Sequence, residues 1–504
     1  SILSMDEIVI SASKWKQKKS ELATKVAVIS KKEIQLLNPQ TAADLLTVSG
    51  KVFMQKSQQG GGSPMIRGFA TNRLLYTIDG VRMNNAIFRA GNIQNVISLD
   101  PFSIEKTEVV FGPGSVIYGS DAIGAVMSFK TITPKFSFDE KTLISGNAFA
   151  RFSSANEEKT VHADINLGFQ KWAFVTSISH NDYGDLTMGS NGPEEYLRNF
   201  YVERINNQDV AITNENPKKQ IPTGYTQLNL MQKVGFKSDY NWDFEYGFHF
   251  SETSSYDRYD RLIITRNGNP RDGEWKYGPQ KWLMNNLEID KNMVNSFFDN
   301  VSLRLTHQNF EESRISRGFN RNSRETRTEK VAAFSTNLDF SKVLSKRNKL
   351  FYGAEYVWNK VGSTGMQTNI STVNSNAFVS RYPDGSTWST AGIYTSYKIN
   401  VRPKITATGG LRYSYNTLHA TFDTSFIKFP YQQANIEEGA NSVGIFTNDN
   451  DLFIANPKQE IIALVRNARD MTRHDPFAAD NLFHIGFEHC IAAVKFLVKA
   501  IADA

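Results

Sequence analysis

The sequence has no uninterrupted apolar run of about 20 residues, the length a helix needs to cross a bilayer. It has a single cysteine, Cys490, in 504 residues, which excludes an internal disulfide framework and any CxxC metal or redox motif. That scarcity is compatible with export through an oxidising periplasm. A GxxxxGKS/T phosphate loop, an HExxH metal helix and a GxSxG nucleophile elbow are all missing, and the eight histidines are scattered. Nothing supports an enzyme, a bound cofactor or a resident metal. The basic excess, 57 residues against 51 acidic ones, is spread along the chain. A nucleic-acid partner would need a clustered basic stripe, so none is expected. Ser1 is not followed by a charged and then an apolar stretch, so any signal peptide is expected to have been removed or never to have been part of the chain.

Aromatic residues are plentiful at 12%, yet the mean hydropathy is −0.40. Transmembrane strands combine those properties, because apolar and polar residues alternate along them and hide from averages. The alternation is plain in Trp242, Phe244, Tyr246, Phe248 and Phe250, interleaved with Asp243, Glu245, Gly247, His249 and Ser251. It recurs in Val161 to Phe169, in Ala332 to Phe340, in Leu350 to Trp358 and in Ile405 to Tyr415. Connections near Gln170, Ser238 to Asn241 and Asn400 to Pro403 are short, whereas Asp182 to Pro222 and Tyr256 to Asp290 read as long loops. Short turns on one side and long loops on the other suit an outer-membrane wall better than a soluble sandwich.

The expected fold class is mainly β. A small α+β domain is followed by an incomplete antiparallel transmembrane β-barrel and an unrelated-looking helical C-terminal tail. The expected boundaries are 1–13 for an extended N-terminal segment, 14–136 for the α+β domain, 137–440 for the barrel part and 441–504 for the tail. In the tail, apolar residues recur at three and four, as in Ile491, Val494, Phe496, Leu497, Val498 and Ile501.

An ordered series of segments near the N-terminus resembles the TonB-dependent outer-membrane receptors. It comprises Asp6-Glu7-Ile8-Val9-Ile10-Ser11-Ala12, Ala43-Asp44-Leu45-Leu46, Ile66-Arg67-Gly68-Phe69, Ile78-Asp79-Gly80-Val81-Arg82, and Ile104 to Ser115 running into Tyr118-Gly119-Ser120-Asp121-Ala122-Ile123-Gly124. The likeness is nearest to haem, haemoglobin and transferrin type receptors of a Bacteroidetes-like branch. It implies a plug domain inside a 22-stranded barrel. The location it implies is the outer membrane of a Gram-negative bacterium. The activity it implies is active import of a scarce ligand, with haem or another iron source first. A non-transporting adhesin or sensory receptor on the same scaffold is the alternative, as is a carbohydrate importer. Expected partners are a TonB-like energy-transducing protein in the periplasm, outer-membrane lipid, and haem, an iron chelate or a host iron protein.

The resemblance assigns candidate roles. Asp6, Glu7, Ile8, Val9 and Ile10 look like a TonB box, an extended segment able to add to a sheet edge. Plug loops facing the ligand would lie near Gln58 to Ser63 and Asn84 to Asn92, offering Gln58, Gln59, Asn84, Asn85, Phe88, Arg89 and Asn92. Tyr256, Arg258, Tyr259 and Arg261 pair rings with guanidinium groups on an outer loop, a mixture suited to anionic planar ligands or a protein surface. Arg67, Asp79, Arg82, Glu105 and Glu108 read as structural or interfacial, because charges buried in a lumen must be paired. The plug region has no histidine, so an axial ligand to haem would have to come from the barrel or its loops. About 300 residues from Phe136 to Ala440 hold roughly ten strands, about half of the wall that the resemblance implies. A foreign or frame-shifted join near Gly439 to Ser442 is the economical expectation for the change of character there.

Overall fold

Turn chemistry starts the plug. Asp79 and Gly80, at φ 49° and 79°, join Leu74–Ile78 to Val81–Arg82. Two positive-φ residues make the type I′ turn, whose twist matches that of the flanking strands. This hairpin forms one edge of a five-stranded sheet ordered Lys25–Ser30, Ile104–Phe111, Ala125–Thr131, Leu74–Ile78, Val81–Arg82. Only Ala125–Thr131 and Leu74–Ile78 run parallel. Ser30 begins the helix Lys31–Leu37 with a capping box to Glu33, and Asn38 ends it in the left-handed conformation. The short helix Ala42–Thr47 buries Ala42, Ala43, Leu45 and Leu46 against Ile78, Val109, Met127 and Phe129.

The computed structural model describes residues 8–47, 50–56, 59–70, 73–87, 95–402, 405–421, 442–448 and 451–454. Beyond the plug lies a 16-stranded sheet whose main path is an antiparallel meander. It runs through Leu143–Ser153, Glu158–Gly168, Trp172–Tyr183, Tyr225–Lys237, Trp242–Thr253, Lys281–Asn292 and Asn300–Gly318. It continues through Ser323–Val343, Asn348–Asn369, Thr387–Arg402, Ile405–Thr421, Ser442–Asn448 and Asp451–Ile454. The period of two sorts this wall into faces. Tyr246, Leu287, Leu305, Thr336 and Tyr356 form one cross-strand row on the outer face. His249, Met284, Gln308, Ala333 and Asn359 form an inner row, all buried. Rings gather on the outer face at the short-turn end, with Trp172 to Phe236 at 4.5 Å and Phe340 stacked on Tyr352 at 4.9 Å, like the aromatic girdle of a membrane interface.

Several expectations are corrected. Lys281–Asn292 is a wall strand, so the loop expected from Tyr256 to Asp290 ends before it. Wall strands exceed the expected ten residues, reaching 22 in Asn348–Asn369. A tilted strand needs about 10 to cross the hydrocarbon, so these run on past it towards the long loops. The sheet also continues past residue 440 in Ser442–Asn448 and Asp451–Ile454. The tail stretches with helical spacing lie outside the described residues. The seam between plug and wall also has an apolar part: Trp282 and Met284 belong to the plug's main core, and Tyr394 joins its second one.

Candidate functional site

Three layers of contact join plug to wall. At the short-turn end, the N-terminal segment is clamped. Ile8–Val9 pairs with Gln17–Lys18, and Val9 is fully buried. One carboxylate oxygen of Glu108 accepts the backbone N–H groups of Ile10 at 3.0 Å and Ser11 at 2.8 Å. Lys106 donates to the carbonyl of Ile8 at 2.9 Å, and the Tyr118 hydroxyl to that of Ser11, also at 2.9 Å. Glu108 and Lys106 lie on a central strand of the plug sheet, so the segment is tied to the sheet itself. It is tied to the wall as well. Lys14 reaches Asp339 at 3.0 Å between the rings of Tyr118 and Tyr394, and Tyr394 donates to the same carboxylate at 2.6 Å. Lys398 binds Gln17 and Glu21, each at 2.9 Å. A cavity of about 390 Å³ opens beside this clamp, lined by Lys14, Trp15, Lys130, Asp243, Glu288 and Arg304 among others.

The middle layer is ionic. Asp79 lies 3.0 Å from Lys233, 3.4 Å from His249 and 3.6 Å from Lys130, and it accepts from the N–H and hydroxyl of Thr131. Burial alone would raise the pKa of this carboxyl, but Lys233, Lys130 and His249 hold it well below the ordinary range. His249 faces the lumen as its strand phase implies, yet it is packed against Asp79 and Trp282 and not solvated. Arg82 spans Asp121 at 2.6 Å and Glu355 at 3.3 Å, while Arg412 reaches Glu355 at 3.1 Å and Asn337 donates to it. Burial is the main influence on Asp121, and it keeps that carboxyl above its usual value in spite of Arg82. Asp100 of the plug accepts from Ser179 of the wall at 2.7 Å, and Ser179 lies 2.7 Å from His162 Nδ1.

At the long-loop end the seam is aromatic. Tyr183, Tyr225, Tyr256 and Tyr277 form a buried ladder with ring spacings of 4.7, 5.7 and 5.9 Å, and Ile97 of the plug packs into it. Gly60 is needed here, because a Cβ would stand 2.9 Å from the Tyr225 ring. Among the described residues the Tyr225 and Tyr256 hydroxyls have no hydrogen-bond partner.

The expected site residues divide accordingly. Ile8, Val9, Ile10, Asp79, Arg82 and Glu108 meet in the two inner layers. Glu105 accepts from Thr133 N–H at 3.1 Å. Arg67 is exposed and stands over the Phe111 ring, not in the paired seam expected of it. Gln59, Asn84 and Asn85 are buried, which corrects their reading as ligand-facing amides. Asn84 braces Tyr76 N–H and the Leu74 carbonyl, Asn85 accepts from Ile87 N–H, and Gln59 donates to the Gly184 carbonyl. Tyr256 and Arg258 are buried too. Tyr256 is a rung of the ladder, and Arg258 pairs with Asp260 over Trp275 and Tyr277. Tyr259 and Arg261 keep partial exposure. Asp6, Glu7, Gln58, Phe88, Arg89 and Asn92 lie outside the described residues. Sequence reasoning missed Lys14, Lys233, Asp339, Glu355, Tyr394 and Arg412. Their one signal is a charge or hydroxyl in the polar phase of a strand or near the N-terminal segment.

Residues 18–126 match the family model of the TonB-dependent receptor plug domain. A plug domain matched by that model, held inside a meander wall with lumen-facing charges, is the architecture that the chain shares with TonB-dependent receptors of the Gram-negative outer membrane. Over 427 residues the chain is 27% identical to the vitamin B12 transporter BtuB of Vibrio vulnificus strain CMCP6, covering 83% of this chain and 58% of that one. Over 258 residues it is 28% identical to BtuB of strain YJ016, covering 50% of this chain and 36% of that one. Its fold is shared with the copper transporter OprC at TM-score 0.61 and 14% identity, over 84% of this chain and 60% of that one. The siderophore receptor PiuA from Acinetobacter baumannii gives 0.54 and 15%, over 90% and 64%. The chain spans less than two thirds of the length of each. These relatives are named as transporters and receptors, not enzymes.

Proposed function

We propose that the protein imports a scarce metal chelate across the outer membrane, drawing force from a TonB-like periplasmic partner that grips the segment around Ile8 to Ile10. The observation that carries this reading is the double attachment of that segment, to Glu108 in the plug sheet and through Lys14 to Asp339 in the wall. A pull on it loads the plug strand Ile104–Phe111 directly. An extended segment can be gripped by strand addition, where backbone hydrogen bonds supply hold and alternate side chains specificity. Haem or another iron source stays first among the ligands, on the likeness to haem, haemoglobin and transferrin type receptors. Both lumen-facing histidines of the described wall, His162 and His249, already engage partners, so a haem ligand would draw its axial group from elsewhere in the chain. The partial exposure of Tyr259 and Arg261 supports reading them as the loop residues that would meet it.

The test is uptake by cells displaying the protein, offered haem, a ferric siderophore and vitamin B12 in turn. Val9→Pro removes a backbone donor from the gripped segment. It is expected to abolish uptake of the transported ligand while surface binding stays at the wild-type level. Equal loss of binding and uptake would overturn the coupling role.

A further inference from the structure

The outermost part of the long-loop end holds a buried charge pair that the clamp does not use. The loop after Trp172–Tyr183 folds into a hairpin of Phe200–Ile205 and Gln208–Thr213, turned at Asn206 and Asn207 with φ 49° and 64°. This hairpin forms a two-stranded sheet of its own. Lifting it would unpair no wall strand. Asp209 helps to hold it down. The carboxylate receives Arg317 Nη1 at 2.6 Å and Nη2 at 3.0 Å, the backbone N–H of Asn320 at 2.6 Å and Arg204 Nη1 at 3.2 Å. Its side chain is 0% exposed and that of Arg317 2%. Gly273 makes room for the pair, because a Cβ there would stand 2.7 Å from Asp209 and 2.8 Å from Arg317.

A planar guanidinium bonded to both oxygens, with a backbone donor beside it, is how proteins recognise carboxylates in general. Here the carboxylate is the chain's own and sits on a hairpin that pairs with no wall strand and is tied besides by the Asp209 N–H to Asn320 Oδ1 at 2.8 Å and by Arg204 to Asn322 at 2.7 Å. With the hairpin and Asp209 withdrawn, Arg317 and Arg324 would face Glu274 as the nearby acid, since Glu274 already engages Arg324 at 2.8 Å and Arg317 at 3.5 Å. We propose that Arg317 and the Asn320 N–H form a carboxylate-binding site at the barrel mouth, that Asp209 fills it as an internal surrogate, and that a carboxylate-bearing ligand enters by displacing Asp209 and lifting the hairpin, which carries Arg204 away with it. The inference rests on reading the long-loop end as the ligand-facing end.

The experiment titrates the full chain in detergent with citrate, and with sulfate for comparison. Asp209→Ala is expected to tighten citrate binding at least tenfold, and adding Arg317→Ala is expected to remove the gain. In the wild type, citrate is expected to speed hydrogen exchange in Gln208–Thr213. An affinity in Asp209→Ala equal to wild type would overturn the surrogate. A gain that survives Arg317→Ala would overturn the site, and an equal gain for sulfate would overturn its carboxylate selectivity. Asp209→Asn, which keeps the shape and the Asn320 contact, repeats the test should the alanine variant disturb the loops. Citrate titration reads the mouth alone, so its failure is distinguishable from a failed Val9→Pro uptake test at the other end.

Discussion

The plug meets the wall differently at its two ends. Towards the short turns it is held by Glu108, Lys14, Asp339, Asp79, Lys233 and the Arg82–Glu355–Arg412 group, all charged and mostly buried. Towards the long loops it is held by tyrosine rings around Ile97, with two hydroxyls left without partners among the described residues. Buried ion pairs are directional and strongly destabilised when one partner is lost, whereas stacked rings exclude water and tolerate sliding. Under the proposed function, directional contacts suit an end that transmits a pull, and ring contacts suit an end that seals.

The difference can be broken at single residues. Glu355→Ala would leave Arg82 and Arg412 buried without their shared carboxylate and should lower stability by about 3–5 kcal/mol, read as a fall in the unfolding midpoint in detergent. Trp282→Ala, at the apolar part of the seam, should cost about 3–5 kcal/mol by the same measurement, and a smaller loss would mean that the wall collapses into the space. Glu108→Ala should release the N-terminal segment while leaving the sheet intact. Loss of about 1–3 kcal/mol of local protection should appear as faster tryptic cleavage at Lys14 and Lys16. At the tyrosine end Tyr225→Phe removes a hydroxyl that has no partner and should change stability by about 1 kcal/mol or less.

Acidity acts on Asp79 and Asp257 with opposite sign. Asp79 has a depressed pKa, so its contribution is present at neutral pH and is lost only as pH falls below the ordinary carboxylate range towards its own low value. Burial raises Asp257, next to the ladder, to about 6. A raised carboxyl binds its proton more tightly in the folded state, so the loop around it should gain stability as pH falls from 7 towards 5. The protection factors of the 254–280 amides, with the intrinsic pH dependence of exchange divided out, should rise over that interval in wild type and stay level in Asp257→Asn.

Much of this was legible in the sequence, for reasons that also mark where reading stopped. The wall shows in the period of Trp242 to Phe250, and the plug hairpin in Asp79-Gly80, since both are local. Asp79, Arg82 and Glu108 announce a need for partners. Their partners Lys233, Glu355, Arg412 and Ile10 lie far along the chain, and a lysine in the polar phase of one strand looks like a lysine in any other. Asn84, Asn85 and Gln59 were misplaced because an amide in a turn reads the same whether it faces a ligand or the backbone. Tyr256 and Arg258 were misplaced because an aromatic and basic loop looks exposed until its neighbouring strands are known to carry Tyr225 and Tyr277.

The central claim is that the N-terminal segment is clamped to the plug sheet through Glu108 and released from there. Residue-resolved hydrogen exchange at the Ile10 and Ser11 amides tests it most directly. Strong protection in the wild type, lost in Glu108→Gln while the amides of Ala125–Thr131 stay protected, is the predicted result. Fast exchange at Ile10 and Ser11 in the wild type would contradict it.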